Sequence, residues 1–328
     1  MRAAVITRFG GPEVLEIQDR PTPVPMEGEI LVHVRATALN RADLLQREGN
    51  YPAPPGAPKD IPGLEFAGEV ADVGAGVSEW RTGDRVFGLV AGGGNAEYVV
   101  TDARSVASIP STLSWTDAGA IPEAFMTAHD ALVTQAGVRP GERVLIHAVG
   151  SGVGLAASQL ARAWDAIPYG TARTAEKITR AREYGLEDGV PVTDDAEAIV
   201  VAVERWTSGK GVEITLDLVG GPYVAADIRA AALKGRIMLI GTIAGRSATI
   251  PVGMVLGKRL TVRGTVLRAR AVEEKRSVAA AFARDVVPLL ASGALRPVVD
   301  KEFALEEIRA AHARLASNET FGKVVLKI

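Results

Sequence analysis

The chain contains no cysteine in its 328 residues, which excludes disulfides, thiolate metal ligands and a cysteine nucleophile together. It also lacks a basic excess: 37 Lys and Arg against 39 Asp and Glu leave a formal charge of −2. A nucleic-acid partner or an anionic membrane surface would favour the opposite balance. No apolar run approaches the roughly 18 residues needed to cross a bilayer. Met1 to Phe9 reads as a strand rather than a signal peptide, so a cytoplasmic location is expected. Repeats and low-complexity segments are missing as well. What remains is a hydrophobic share of 47%, which is that of an ordinary globular protein. The chain is longer than one core usually supports, so two domains are expected.

The stretch from Arg143 to Asp165 organises the rest. Val144 to Ala148 is a short apolar run with the character of a buried strand. Val149-Gly150-Ser151-Gly152-Val153-Gly154 follows, and from Leu155 the pattern turns helical, with Leu160 and Trp164 four apart. A strand, a glycine turn and a helix start form a pyrophosphate site: backbone N–H groups approach the anion, and the helix dipole favours it. The strict G-x-G-x-x-G register does not fit, because Val149 and Ser151 occupy its first two glycine positions. A plain structural turn is the competing reading. The strand before and the helix after supply the context that the motif requires.

In chain order, the first 120 residues read as β-rich. Strands are predicted at Ala3–Thr7, Val14–Gln18, Glu29–Ala38, Glu65–Val73, Arg85–Val90 and Glu97–Val100, separated by Pro and Gly clusters. Helices are predicted at Trp115–Ala120 and Pro122–Ala136. A βα series follows, with strands at Ala166–Gly170, near Val190, and at Val212–Asp217, Arg236–Gly241 and Leu260–Val266. Helices at Ala175–Tyr184, Ala196–Trp206 and Tyr223–Leu233 lie between them. That alternation implies a parallel, doubly wound sheet. The tail breaks the rhythm with one long helix over Val272–Ala291, another over Leu305–Ala316, and a last strand over Lys323–Lys327. Gly92-Gly93-Gly94 precedes a strand rather than a helix, so it reads as a turn and not as a phosphate loop.

Asn40-Arg-Ala-Asp-Leu, Gly63-Leu-Glu-Phe-Ala-Gly68, Gly83-Asp-Arg-Val86, Gly92 to Tyr98 and Pro122 to Ala128 occur in a recognisable order. Val149–Gly154, Asp217 to Gly221, Gly235-Arg236 and Gly322-Lys-Val-Val-Leu326 continue it. Together they resemble the zinc-independent quinone oxidoreductases of the medium-chain dehydrogenase/reductase superfamily, the ζ-crystallin branch, over the whole chain. The resemblance implies an α/β fold: a GroES-like, β-barrel-type catalytic domain with an inserted doubly wound parallel-sheet Rossmann domain. The expected boundaries are 1–120, 121–265 for the NADPH-binding domain, and 266–328 for the return to the catalytic domain.

Zinc members of the superfamily use a Cys, a Gly-His-Glu histidine and a further Cys or acid. Here those regions read Asn40-Arg-Ala-Asp and Gly63-Leu64-Glu65, and Leu64 ligates nothing. The four histidines, His33, His129, His147 and His312, are scattered and read as packed or exposed groups, so no metal is expected. Without one, the carbonyl is polarised by hydrogen-bond donors, which suits quinones and conjugated enones. The resemblance gives Asn40 and Tyr51 the substrate pocket as catalytic residues. Read locally, Asn40 is equally a turn residue, and Tyr51 a packing aromatic in a Pro-rich loop.

For the cofactor, the resemblance and the strand ends point to Thr127, Gly150, Ser151, Gly152, Val153, Gly220, Gly241, Thr242, Leu267 and Arg268. Thr127 reads nearly as well as a helix-interior residue. At the end of the strand after the glycine turn, Gly170-Thr171-Ala172-Arg173 has no carboxylate to repel a 2′-phosphate. Thr171, Arg173 and Lys177 are the candidate cofactor contacts there, the last two offering cationic donors to it. NADPH is therefore expected over NADH, although a solvated basic pair would look the same. The expected activity is NADPH-dependent hydride transfer to a quinone or related conjugated carbonyl. The alternatives are an enoyl or enone reductase and a non-catalytic NADPH-binding sensor or structural protein. A homodimer is expected, joined at the Rossmann sheet edge through an extended apolar segment at Ala248–Val255.

Overall fold

Frequent Pro and Gly residues keep the first strands short, and alternating apolar residues fix the face that each buries. The computed structural model describes residues 1–193 and 195–328. β1 (Arg2–Ile6) and β2 (Leu15–Asp19) form an antiparallel pair. β3 (Glu29–Leu39) buries Ile30, Val32 and Val34 completely. These residues pack against Phe66 and Val70 of β4 (Glu65–Val73), Val86 of β5 (Arg85–Leu89) and Val99 of β6 (Tyr98–Asp102). β7 (Val106–Ser108) completes this first run. Helix α1 (Arg41–Arg47) follows β3, and α2 (Trp115–Gly119) and α3 (Pro122–His129) lie beyond β7.

Next come β8 (Arg143–Ile146), α4 (Gly152–Ala163), β9 (Ile167–Ala172), α5 (Ala175–Ala181) and β10 (Asp188–Pro191). α6 (Glu197–Thr207), β11 (Val212–Asp217), α7 (Tyr223–Ala230), β12 (Ala231–Leu239), α8 (Val252–Lys258) and β13 (Thr261–Gly264) continue the alternation. The six strands form one parallel sheet in the order β10-β9-β8-β11-β12-β13. The order reverses direction at β8, the switch point at which such sheets bind ligands. The tail comprises α9 (Val272–Asp285), α10 (Val287–Ala291), β14 (Val299–Ala304), α11 (Ile308–Ala316) and β15 (Lys323–Lys327). Its strands join β3 to β7, giving a seven-stranded sheet ordered β14-β15-β3-β4-β5-β7 with β6 also on β3, apart from the β1–β2 pair. The chain divides into one unit of Met1–Met126 with Leu267–Ile328 and a second of Thr127–Val266.

The structure corrects several expected elements. The helix expected over Val272–Ala291 breaks at Val286, because Pro288 in the first turn of α10 has no N–H to continue it. The helix expected over Tyr223–Leu233 stops at Ala230, where the Lys258 ammonium takes the last carbonyls, those of Ile228, Arg229 and Ala231. Past His129, the helix expected to reach Ala136 widens into a π-helical turn over Asp130–Gln135. The expected helices at Ala175–Tyr184 and Leu305–Ala316 each end or begin in a 3₁₀ turn, at Arg182–Tyr184 and Leu305–Glu307. The segment at Ala248–Val255 is not one extended stretch: residues 248–251 carry no regular structure and Val252 starts α8. β13 is one of the two edge strands of the parallel sheet, the other being β10, and all four of its residues are exposed.

Candidate functional site

In the second unit, the glycine turn lies at the carboxyl end of β8, where three features shape it. Ala148 adopts a left-handed conformation with φ 51°, which is strained for a residue with a Cβ. Ser151 caps α4, its Oγ accepting the Gly154 N–H at 3.1 Å. A Cβ on Gly154 would come within 2.5 Å of the Ala148 carbonyl, so only glycine fits there. The helix begins at Gly152, three residues earlier than the sequence pattern suggests. The first-turn N–H groups and the dipole of α4 therefore face the turn, the arrangement that receives a phosphate. Gly150 is buried, while Ser151, Gly152 and Val153 are half-buried.

Thr171, next to last in β9, is almost fully buried, whereas Arg173 is exposed and Lys177 half-buried. Thr174 caps α5, accepting the Lys177 N–H at 3.3 Å. The nearest acid, Glu176, lies 3.7 Å from Arg180. The carboxyl ends of β12 and β13 line a cleft of about 380 Å³ with Leu239, Ile240, Gly241, Thr242, Gly264, Thr265 and Val266. The π-helical turn reaches the same place, because Gln135 Nε2 donates to Thr265 Oγ1 at 2.7 Å and to Asp130 Oδ2 at 2.5 Å. Such turns recur at functional sites. Thr127 is buried in α3. Gly220 has φ +70°, and a Cβ there would meet the Gly241 carbonyl at 2.8 Å.

No local pattern in the chain marks the polar cluster beside these turns. His147, Asp217 and Asp227 are all fully buried, and among the described residues they bring a nitrogen and two carboxylates within 4.8 Å of one another. Burial opposes charge on His147, but Asp227 outweighs it and holds the imidazole above its ordinary value. Burial pushes Asp227 up to about 6, against the pull of His147. His147 and Asp227 therefore each hold a proton more tightly than they would in water.

The first unit centres on a different cluster. Asn40 precedes α1, its N–H donating to Asp43 Oδ2 at 2.7 Å and its carbonyl accepting the Asp43 N–H at 3.0 Å, and Asp43 also accepts the Gly63 N–H at 2.9 Å. Burial raises the Asp43 carboxyl to about 6 despite both N–H bonds. The Asn40 carboxamide is fully committed: Nδ2 donates to Glu65 Oε1 at 2.9 Å and to the Ala38 carbonyl at 3.3 Å, and Oδ1 accepts from Lys323 at 2.5 Å. The Lys323 ammonium also bonds Glu65 Oε1 at 2.7 Å and the Leu39 carbonyl at 3.2 Å. Glu65 Oε2 accepts the Glu123 N–H. Asn40 thus turns its polar atoms inward.

Tyr51 is half-buried, and burial raises its hydroxyl pKa against the lowering charge of Arg268. Arg268 anchors the Tyr51 loop by donating to the Ala91 carbonyl at 2.7 Å, the Tyr51 carbonyl at 3.3 Å and Gln46 Oε1 at 2.6 Å. Its guanidinium lies 5.0 Å from the Tyr51 ring centroid. The side chain is thereby occupied. Leu267 is half-buried.

A parallel sheet with a glycine turn at its switch point, carried within a mixed-sheet unit, is the architecture of the medium-chain dehydrogenases/reductases. Two family profiles match: an alcohol dehydrogenase GroES-like domain over residues 26–111 and a zinc-binding dehydrogenase over residues 189–326. A quinone oxidoreductase from Lama guanicoe is 32% identical, covering 99% of this chain and 97% of that protein. The structure of Escherichia coli quinone oxidoreductase complexed with NADPH covers 100% of both chains at 28% identity with a TM-score of 0.88. An NAD-dependent alcohol dehydrogenase structure, 32% identical, covers 100% of both chains with a TM-score of 0.85. The chain belongs to the quinone oxidoreductase branch of the superfamily.

Proposed function

We propose that the protein is an NADPH-dependent reductase of quinones or related conjugated carbonyls that works without a metal. The observation that carries this reading is the turn from β8 into α4, in which Ser151 caps a helix whose first N–H groups are available to an anion. Gly150, Ser151, Gly152 and Val153 would hold the pyrophosphate. Arg173 and Lys177 would take the 2′-phosphate, and Gly220, Gly241, Thr242 and the backbone at Leu267 the nicotinamide half. The NAD-dependent relative makes cofactor preference the point most in need of measurement. Bound NADPH would supply the hydride.

Tyr51 would supply a neutral O–H donor to the substrate oxygen, since burial keeps its hydroxyl protonated at neutral pH. Arg268 would hold the loop that presents it. The residues around Asn40 do not fit zinc. Leu64 offers no donor, Asn40 Oδ1 and Glu65 Oε1 are already bonded to the Lys323 ammonium, and Glu65 Oε2 accepts the Glu123 N–H. Asn40 is better assigned to shaping the pocket floor than to touching substrate. The protein would act as a homodimer across β13, where Val262 and, on α8, Val252 and Leu256 are exposed. The deciding experiment is a panel of quinones, enones and alcohols followed by NADPH and NADH absorbance, with and without chelator. Quinone turnover with NADPH, insensitive to chelation, is the expected result. Activity that is lost to chelator and restored by zinc would refute the metal-free reading, and turnover of enones alone would move the assignment to C=C reduction.

A further inference from the structure

We propose that His147, Asp217 and Asp227 form a proton-holding brace that positions the three turns assigned above to the dinucleotide, an inference that rests on that assignment. The brace spans three strand ends. His147 directly follows β8 and is bonded on both ring nitrogens: Nε2 to Asp227 Oδ1 at 2.7 Å and Nδ1 to Thr171 Oγ1 at 2.9 Å. The Thr171 carbonyl in turn accepts the Val149 N–H at 2.9 Å, tying the end of β9 to the start of the glycine turn. At the end of β11, Asp217 Oδ1 accepts the N–H groups of Val219 at 2.7 Å and Gly220 at 2.8 Å, fixing the Gly220–Gly221 turn.

The groups facing His147 are Thr171 from β9, Asp217 from β11, and Asp227 and Tyr223 from α7. The Tyr223 ring stands edge-on, 4.8 Å from the imidazole, and Arg173 acts electrostatically on Tyr223. Asp217 Oδ2 and Asp227 Oδ2 have no hydrogen-bond partner. Two buried carboxylates facing one imidazole would leave an unbalanced charge, which is costly in a dry site. A proton beyond the one on Nε2 relieves that cost. When the imidazole is charged, Nδ1–H donates to Thr171 Oγ1 and the threonine hydrogen turns elsewhere. When it is neutral, the threonine hydroxyl donates to Nδ1. The protonation state is therefore transmitted to the β9 end and, through Thr171, to the glycine turn.

The test measures NADPH affinity by fluorescence titration and amide exchange in the cofactor-free protein. His147→Gln, Asp227→Asn and Thr171→Val should each weaken NADPH by about tenfold, or 1.4 kcal/mol, while Thr171→Ser stays near the wild type. Exchange at Val149 and Gly220 should quicken in the first two variants without cofactor. Calorimetry in two buffers of different ionisation enthalpy should show proton uptake on binding that is reduced in Asp227→Asn. The phosphate of the ligand contributes equally to both proteins, so the difference belongs to the brace. Folded variants with unchanged affinity and exchange would overturn the brace while leaving the dinucleotide assignment standing. A wild type that binds neither NADPH nor NADH would overturn both. Elemental analysis that finds a stoichiometric divalent ion released by Asp227→Asn would replace the proton with a metal and overturn the proposal.

Discussion

Replacing Lys323 by Met tests the interior of the first unit most directly. The Lys323 side chain is 6% exposed and that of Glu65 fully buried. The substitution keeps most of the aliphatic stem and deletes the ammonium, leaving Glu65 with only the Asn40 amide and the Glu123 N–H as donors. Removing one partner of a buried ion pair costs about 3–5 kcal/mol, because the other charge is stranded, whereas neutralising both is often near neutral. Lys323→Met should therefore destabilise the first unit by about that amount, and Glu65→Gln with Lys323→Met by clearly less than the sum of the single changes. Coupling of about 2 kcal/mol or more is expected. Two units make whole-chain unfolding a poor two-state process, so the readout needs to be local. Trp164 and Trp206 lie in the second unit and Trp80 and Trp115 in the first. Urea titration of a Trp164→Phe, Trp206→Phe background then reports the first unit through fluorescence. A loss below about 1 kcal/mol for Lys323→Met, or strict additivity in the double variant, would refute the reasoning.

Tyr51→Phe should lower kcat by up to about a hundredfold if its hydroxyl donates in the transition state; unchanged kcat with raised KM would instead make it a binding residue. Arg173→Ala and Lys177→Ala should each reduce the NADPH preference in kcat/KM by about tenfold or more, and a wild type that uses NADH equally well would show the phosphate assignment to be wrong. Burial and then Arg47 push His312 down to about 3, so it stays neutral in the folded chain while the unfolded chain protonates it near 6.5. The unfolded state binds more protons in that window, and stability falls as pH drops through it. Relative to His312→Gln, the wild type should lose about 1.4 kcal/mol per pH unit below 6.5, and equal pH slopes would contradict this. Light scattering at micromolar concentration should give a dimer, and Val262→Lys on β13 should shift it toward monomer; a monomeric wild type would end that proposal.

What was legible in the sequence was local. The glycine turn, its strand and its helix are contiguous, so Val144 to Leu160 carries their pattern in one window. The alternating faces of β3 and the βα rhythm were readable for the same reason. The polar clusters were not, since Lys323 and Glu65 are 258 residues apart and His147 and Asp227 are 80 apart. Spacing says nothing about such pairs. The motif that names Asn40 is local, whereas the partners of its carboxamide, Glu65 and Lys323, come from positions that no local pattern names. The π-helical turn at Asp130–Gln135 leaves no periodic trace, and its Gln135–Thr265 bond joins positions 130 residues apart.

The position of β15 bears on how this chain is made. It lies inside the mixed sheet, between β14 and β3, although it consists of residues 323–327. The second unit is a continuous segment, complete once residue 266 has been synthesised, so it can fold on the ribosome while β3 still lacks a neighbour. An open strand edge of this kind recruits other chains. The first unit, whose first 126 residues precede the second unit, therefore completes after it, and until residues 323–327 emerge that edge of β3 is open to pairing with another chain.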